Sequence, residues 1–388
     1  MTEPARRPRV LVVTRNFPPY WGGMEKLNWH MVDAIARAAD TWIVGPVGAA
    51  VEAPSSVGAK EAPLKPLPLF LCIAFFQAMI CAWRYKPDIV LAGSGVTAPL
   101  AWLVARMHGA KAVVYVHGLD VAVRHWLYRL VWVPALRRMD RVIANSQVSA
   151  GLAAQLRISR KRMLVVHPGA DPGEASAWAG RDTAMRAELS IGEGPLLLSV
   201  GRLTERKGLR EFVTDALPSI VASFPRCTLI VVGDAPSHSL YAKSQSRESI
   251  QAAADNAGVG QRLRFLGVIS DQRKLARIYR AADLHVFPVR ELPGDPEGFG
   301  MVAIEAASFG VPTVAYASGG IVESVRDGES GTLVTPGDAA AFASAVVDTL
   351  ERLDASVRRR TMEYAADFAW PRFDERFRRA VLDGWLNG

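Results

Sequence analysis

Cysteine is scarce in this chain: Cys72, Cys81 and Cys227 are the only three in 388 residues. None sits in a Cys-x-x-Cys pair, which excludes a zinc site of that kind and a disulfide framework. Core thiols of a reducing compartment are the expectation. An Asp-x-Asp metal motif occurs nowhere, and neither does the Gly-x-Gly-x-x-Gly dinucleotide fingerprint, so no metal and no nicotinamide cofactor is expected. Long apolar runs are missing too. The longest, residues 69–83, is interrupted by Gln77, and falls short of the ~20 residues a bilayer crossing needs. A buried or interfacial helix is expected there. Arg6, Arg7 and Arg9 lead straight into an apolar stretch, so no secretory signal is read. No short-period repeat or low-complexity tract appears.

Half the residues are hydrophobic and 22% are charged, the composition of a globular chain long enough for two full cores. Short apolar runs alternate with helical patterns throughout. Strands are expected at 10–14, 42–45, 88–92, 112–116, 141–144 and 163–166, and again at 196–200, 228–232, 263–266, 284–287, 313–315 and 332–334. Such alternation implies α/β architecture with parallel sheets wound by helices. Between the two series, residues 168–194 are rich in Gly, Ala, Ser and Pro and read as a linker, with a short helix at 182–189. Two Rossmann-like domains facing across a cleft are expected, at 1–175 and 176–368, with a C-terminal helix at 369–388. In that last segment, Phe373, Phe377, Val381, Leu382 and Trp385 recur at helical spacing from residue 372 onward.

Charge is uneven. Residues 1–180 carry 21 Lys and Arg against 11 Asp and Glu, while residues 181–388 carry 25 against 27. A basic half asks for an acidic partner. Its densest stretch, 124–162, interleaves Arg124, Arg129, Arg137 and Arg138 with Trp126, Tyr128 and Trp132. This reads as a solvated helix face or a patch for an anionic membrane surface. No nucleic-acid-binding motif accompanies it, so nucleic acid is not expected as a partner.

Four segments carry the chemistry, each where an expected strand gives way to a helix, the edge at which α/β sheets bind ligands. Residues 297–305 read Glu-Gly-Phe-Gly-Met-Val-Ala-Ile-Glu. Here Glu297 precedes a helix start at Phe299, Gly300 and Met301, and Glu305 lies further along. A helix start offers free N–H groups to an anion, and the carboxylates can hold hydroxyls of an extended ligand. Gly201-Arg202-Leu203-Thr204-Glu205-Arg206-Lys207-Gly208 sets a guanidinium and an ammonium, Arg202 and Lys207, on a strand-end loop suited to a pyrophosphate. Gly22 and Gly23 precede a helix at 26–37 and let a phosphate approach the backbone. His117 closes a strand beside Gly118, placed to meet a sugar hydroxyl or move a proton.

Together with Gly310-Val311-Pro312-Thr313, Gly319-Gly320-Ile321 and Asp327-Gly328-Glu329, these segments resemble family-four retaining glycosyltransferases of the GT-B fold over nearly the whole chain. The resemblance implies an N-terminal acceptor domain and a C-terminal nucleotide-sugar domain, and a C-terminal helix crossing back to the first. It implies that Arg202 and Lys207 bind the diphosphate with Gly22 and Gly23 against it. Glu305 would bind the ribose, Glu297 the hydroxyls of the transferred sugar, and His117 its 6-hydroxyl. A base-binding loop is placed near Gly267, Val268 and Ile269. Transfer with retention and without metal is implied, from GDP-mannose or a UDP-hexose to a lipid-linked or polysaccharide acceptor of the cell envelope, such as lipopolysaccharide O-antigen or capsule. The enzyme would sit on the inner face of the cytoplasmic membrane. An epimerase of the same fold and a non-catalytic membrane-docked scaffold are the alternatives.

Overall fold

The computed structural model describes residues 6–171, 180–235 and 244–384. The chain forms two compact units, one made of residues up to Gly169 together with those from Trp370 onward, the other of Ala170–Ala369.

The first unit holds seven strands: β1 (Arg9–Val13), β2 (Asp40–Pro46), β3 (Gly58–Ala62), β4 (Ile89–Ala92), β5 (Lys111–Val116), β6 (Arg141–Ala144) and β7 (Met163–Val165). All pairs are parallel, in the order β3-β2-β1-β4-β5-β6-β7. The central strands β1, β4 and β5 are buried along almost their whole length, because helices cover both faces of a parallel sheet. That burial is why their Val, Ile and Leu runs were readable. Strand β3 was not expected from sequence. It pairs only with β2, and an edge strand of Gly-Ala-Lys-Glu-Ala carries no apolar run to betray it.

The apolar run at 69–83 proves longer than expected. It lies in a 19-residue helix, Leu67–Tyr85, that opens with a proline in its first turn, where a missing N–H costs nothing. By length and composition this helix could cross a membrane, which corrects the expectation that the run is too short. Phe70, Ala74, Ala78, Cys81 and Ala82 bury one face of it against the sheet core. The opposite face leaves Leu69, Phe76, Ile80 and Trp83 in solvent, Trp83 at 77% exposure.

The closing helix, Trp370–Leu382, starts two residues earlier than expected, with Pro371 in its first turn. It belongs to the first unit. Trp370 stacks on His30 at 3.6 Å, Phe377 meets Tyr115 edge-on, and Arg37 bonds Asp374 at 3.2 Å. The expected helix position Trp385 lies outside the described residues.

The second unit holds β8 (Leu196–Val200), β9 (Thr228–Val232), β10 (Leu263–Gly267), β11 (Leu284–Phe287), β12 (Thr313–Tyr316) and β13 (Gly331–Val334). They form a six-stranded parallel sheet in the order β10-β9-β8-β11-β12-β13. Apolar clusters built around Leu197, Leu229 and Val286 and around Leu198, Ile230 and Tyr279 take alternate residues of the same strands, as a two-faced sheet requires. A buried carboxylate ties this unit together. Asp283 accepts from the Leu196 N–H at 2.9 Å and from Arg186 and Arg358 at 3.1 Å each. Arg186 comes from the helix Thr183–Glu188 and Arg358 from Ala355–Ala365. The remainder of the expected linker, 172–179, lies outside the described residues.

Candidate active site

In each sheet the strand order reverses once, at β1/β4 and at β8/β11. Chains leaving such a pair diverge to opposite sides and open a crevice at the carboxyl edge. The residues singled out from sequence collect at these two places.

At the β8/β11 edge, the loop from Gly201 to Gly208 meets the loop running from Pro288 to Gly300. The Arg290 N–H donates to the Arg206 carbonyl at 2.8 Å. Gly208 lies so close to the Pro288 carbonyl, at φ +68°, that no side chain fits. These contacts bring Lys207 within 2.8 Å of Glu297, ninety residues away in sequence: Nζ donates to Oε2. Arg206 bonds the same oxygen, and its Nε lies 3.1 Å from Asp295. From the third side, the Gly320 N–H donates to the Glu297 carbonyl at 2.9 Å. Beneath the cluster, the Phe287 ring lies 4.5 Å from Lys207 Nζ, within range of a cation–π contact.

Burial alone would raise the Glu297 carboxyl, but the charges of Arg206 and Lys207 outweigh it and hold the group at about 2. Lys207 goes the other way. Desolvation pushes its ammonium down to about 8, with Glu297 recovering only part of the loss. The site therefore carries a fixed anion and a cation that gives up its proton easily. Arg202 is exposed. Its charge acts on both Lys207 and Glu297. Arg206 was not assigned a role from sequence, although it adjoins Lys207 and its partners form the acidic pair Asp295 and Glu297. Only the fold reveals that pairing.

Gly300 caps the helix Met301–Ser308 in the left-handed region. Phe299 turns its ring into a core cluster with Ile304, Tyr364 and Phe368, so only its backbone can face a ligand. Glu305 is half-buried on that helix and accepts from the Tyr279 hydroxyl at 3.3 Å. Beyond β10, a cavity of about 310 Å³ is lined by Leu189, Leu266, Val268, Ile269, Ser270, Asp271 and Lys274.

At the β1/β4 edge, Gly22 precedes the helix Gly23–Ala36. His117 is buried at the end of β5. Its Nε2 lies 3.1 Å from the Gly93 carbonyl. A carbonyl can only accept, so Nε2 is the donor in this contact. The His117 N–H donates to Asp120 at 2.9 Å. Burial raises the Asp120 carboxyl above its usual range, against the His117 ring and the N–H groups of His117 and Gly95.

The aromatic residues of the basic stretch divide. Along the helix Trp126–Arg138, Trp126, Leu127, Leu130 and Val131 are exposed. Tyr128 is buried and donates to the Asp120 carbonyl at 2.7 Å, and Trp132 donates to the Val96 carbonyl at 2.9 Å. Arg137 donates to the Leu156 carbonyl at 2.7 Å. Tyr128 and Trp132 thus serve the fold, while Arg124, Arg129, Arg137 and Arg138 are all exposed, Arg137 with one bond to the Leu156 carbonyl.

Two parallel-sheet α/β units of this kind make the GT-B architecture, and solved structures agree. HepE of Anabaena in complex with UDP superposes with a TM-score of 0.76 at 21% identity, covering 95% of this chain and 98% of that one. WaaG, a glycosyltransferase involved in lipopolysaccharide biosynthesis, gives 0.71 at 19%, covering 97% of this chain and 100% of that one. At these identities the likeness is one of fold. A profile for glycosyl transferases group 1 matches residues 180–368, and one for glycosyltransferase family 4 matches residues 21–174. The chain belongs to glycosyltransferase family 4 and is a glycosyltransferase that uses a nucleotide sugar. Among its relatives is the GDP-mannose-dependent alpha-(1-6)-phosphatidylinositol monomannoside mannosyltransferase of Mycolicibacterium smegmatis. It is 29% identical over 353 residues, 88% of this chain and 89% of that protein. The D-inositol 3-phosphate glycosyltransferase of the same organism is 34% identical over 232 residues, 60% of this chain but only 50% of its own length.

Proposed function

We propose that the chain transfers a hexose from GDP-mannose or a UDP-hexose to a lipid-linked or polysaccharide acceptor in cell-envelope glycan synthesis, with retention at the anomeric carbon. The observation that carries this reading is the Lys207–Glu297 pair with Arg206 at the β8/β11 edge. Departure of a nucleoside diphosphate develops negative charge, and fixed cations in a partly desolvated loop stabilise it without reorganising. In this reading Lys207 and Arg202 receive the diphosphate, while Arg206 and Asp295 hold the loop. Glu297 meets the hydroxyls of the sugar, Glu305 the ribose, and His117 the sugar's 6-hydroxyl. The cavity beside Val268 and Ile269 seats the base. GDP-mannose is supported by the GDP-mannose dependence of the mycolicibacterial relative, and UDP by the ligand of HepE.

The leaving-group chemistry we propose is carried by side-chain cations, with no metal and no cofactor. Thermal-shift measurements against a panel of nucleotide sugars test the donor, because a tight ligand raises apparent stability by mass action. Incubation of that donor with lipid and glycan acceptors, with and without EDTA, tests the rest. A product of unchanged anomeric configuration formed equally in EDTA is the expected result. Loss of activity in EDTA with rescue by Mg²⁺ or Mn²⁺ would overturn the metal-free chemistry.

The same reading puts the enzyme peripherally on the inner face of the cytoplasmic membrane, with no nucleic acid partner. Support comes from the outward apolar face of the Leu67–Tyr85 helix and from Trp126, Leu127 and Leu130 lying near Arg124 and Arg129.

A further inference from the structure

The turn between β1 and the helix Gly23–Ala36 is held firmly and carries two large aromatic side chains in solvent. Thr14 Oγ1 donates to Asn28 Oδ1 at 2.9 Å and Asn16 Nδ2 to Glu25 Oε1 at 3.0 Å. Phe17 is wholly buried. Gly48 packs so tightly on the Pro19 ring that a Cβ would stand 2.8 Å from it. Despite these anchors, Tyr20 is 53% and Trp21 47% exposed. Burying one face of an indole is worth far more than leaving it wet, so a rigid turn that presents two aromatics at a ligand-binding edge calls for an explanation.

Their surroundings are polar. Glu25 Oε2 lies beside Gly22, where a Cβ would come within 2.6 Å of it. Arg15, on the same turn, has its Nε buried with no hydrogen-bond partner among the described residues. The Glu25 charge acts on that guanidinium, which burial depresses. The turn also adjoins His117: Gly93, whose carbonyl faces His117 Nε2, has no room for a side chain against Thr14 and Asn28. A turn that carries an indole, a guanidinium and a carboxylate offers the chemistry for a ring with an apolar C–H face and a hydroxylated rim.

We propose that Trp21, with Tyr20 beside it, is the stacking platform for a polyol ring of the acceptor, a sugar or a cyclitol, and that Arg15 and Glu25 bond its hydroxyls. The inference rests on the reading of the chain as a hexosyltransferase.

Its test uses the full chain with methyl α-D-mannopyranoside and myo-inositol as ring probes, followed by the indole N–H resonances in NMR, with GDP and UDP titrated separately. One or both ring probes should bind and shift the Trp21 indole. Trp21→Ala should weaken that binding about tenfold, the size of a lost aromatic stack. Trp21→Phe should keep most of it, and both variants should bind the nucleotide as the parent does. Failure of the parent to bind either ring, or equal binding by Trp21→Ala, overturns the inference. So would a Trp21→Ala variant that loses only its affinity for anionic vesicles. Ring binding without binding of any nucleotide would instead sink the transferase reading and leave the platform in place.

Discussion

At the β8/β11 edge, two cations converge on one carboxylate oxygen, and the loops that carry them are locked by backbone hydrogen bonds. The β1/β4 edge has the same topology and a different finish: an imidazole tied to a backbone carbonyl, a glycine turn and two aromatic rings in solvent. Equivalent positions in two parallel sheets have thus been given opposite chemistry. A leaving diphosphate needs preorganised charge, whereas an incoming hydroxyl on an uncharged ring needs shape and a few hydrogen bonds. The contrast can be broken by moving charge at one edge and watching the other.

The largest effect is expected from Lys207→Ala. Removing a cation aimed at developing charge costs about 10²–10³ in turnover, and steady-state kinetics with the identified donor measures it. Arg202→Ala, at an exposed position, should cost less. Equal losses in the two variants would mean that burial does not set the strength of this edge.

Separating the two carboxylates comes next. Glu305→Ala should weaken affinity for the free nucleoside diphosphate and leave folding intact. Glu297→Ala should keep nucleotide affinity and lose turnover. Its unfolding free energy should also fall by about 3 kcal/mol, since Lys207 would be left half-buried without its carboxylate and the buried Arg206 would keep only Asp295. Isothermal titration and urea unfolding read these outcomes. A Glu297→Ala chain as stable as the parent would show that the pair is ornamental to the fold.

A pH series sharpens the comparison further. With Lys207 pushed down to about 8, diphosphate affinity should be full below that value and decline as pH rises through it. Anion binding favours the ammonium, so the decline can reach about tenfold per pH unit. Lys207→Arg should flatten the profile, because guanidinium keeps its proton. Glu297 has the opposite sign. Its depressed value, about 2, contributes stability that is present above the ordinary carboxylate range and lost as pH falls toward 2.

The smallest effect concerns charge in the first unit that lies away from its edge. Replacing Arg124 and Arg129 by Gln should lower binding to anionic vesicles by about 1 kcal/mol per residue, with nucleotide affinity unchanged. Arg137 is spared, because its guanidinium serves the Leu156 carbonyl. Equal sedimentation of the parent with neutral and anionic vesicles would remove the membrane from the proposal.

Much of this fold is legible in the sequence because the central parallel strands are buried and apolar along their length, and twelve of the thirteen strands among the described residues, three of them at sheet edges, carry a readable apolar run. The exception, β3, is an edge with Lys60 and Glu61 in it. The Leu67–Tyr85 helix was read short because only its apolar run, 69–83, was counted, while Leu67, Pro68, Arg84 and Tyr85 extend the helix at both ends. Lys207 and Glu297 were each readable at a strand end. Their union, and the part of Arg206 in it, depends on β8 and β11 becoming neighbours, which no local pattern encodes. Tyr128 and Trp132 misled for the converse reason. Spacing along a basic helix does not say which ring turns inward.

The Trp370–Leu382 helix has a consequence for how the chain is made. The first unit is assembled from two stretches separated by the whole of the second. A ribosome that has delivered β7 must still synthesise about 200 residues before Trp370 can reach His30 and Phe377 can reach Tyr115. At ~5–20 residues per second, that wait is on the order of ten to forty seconds. The second unit is continuous and has its last strand, β13, and the Asp283 partners Arg186 and Arg358 in hand before the first is closed. The earlier-made half of the protein is therefore the later to finish, and in the interval its sheet stands with one helix missing, the stage at which a nascent chain most needs a chaperone.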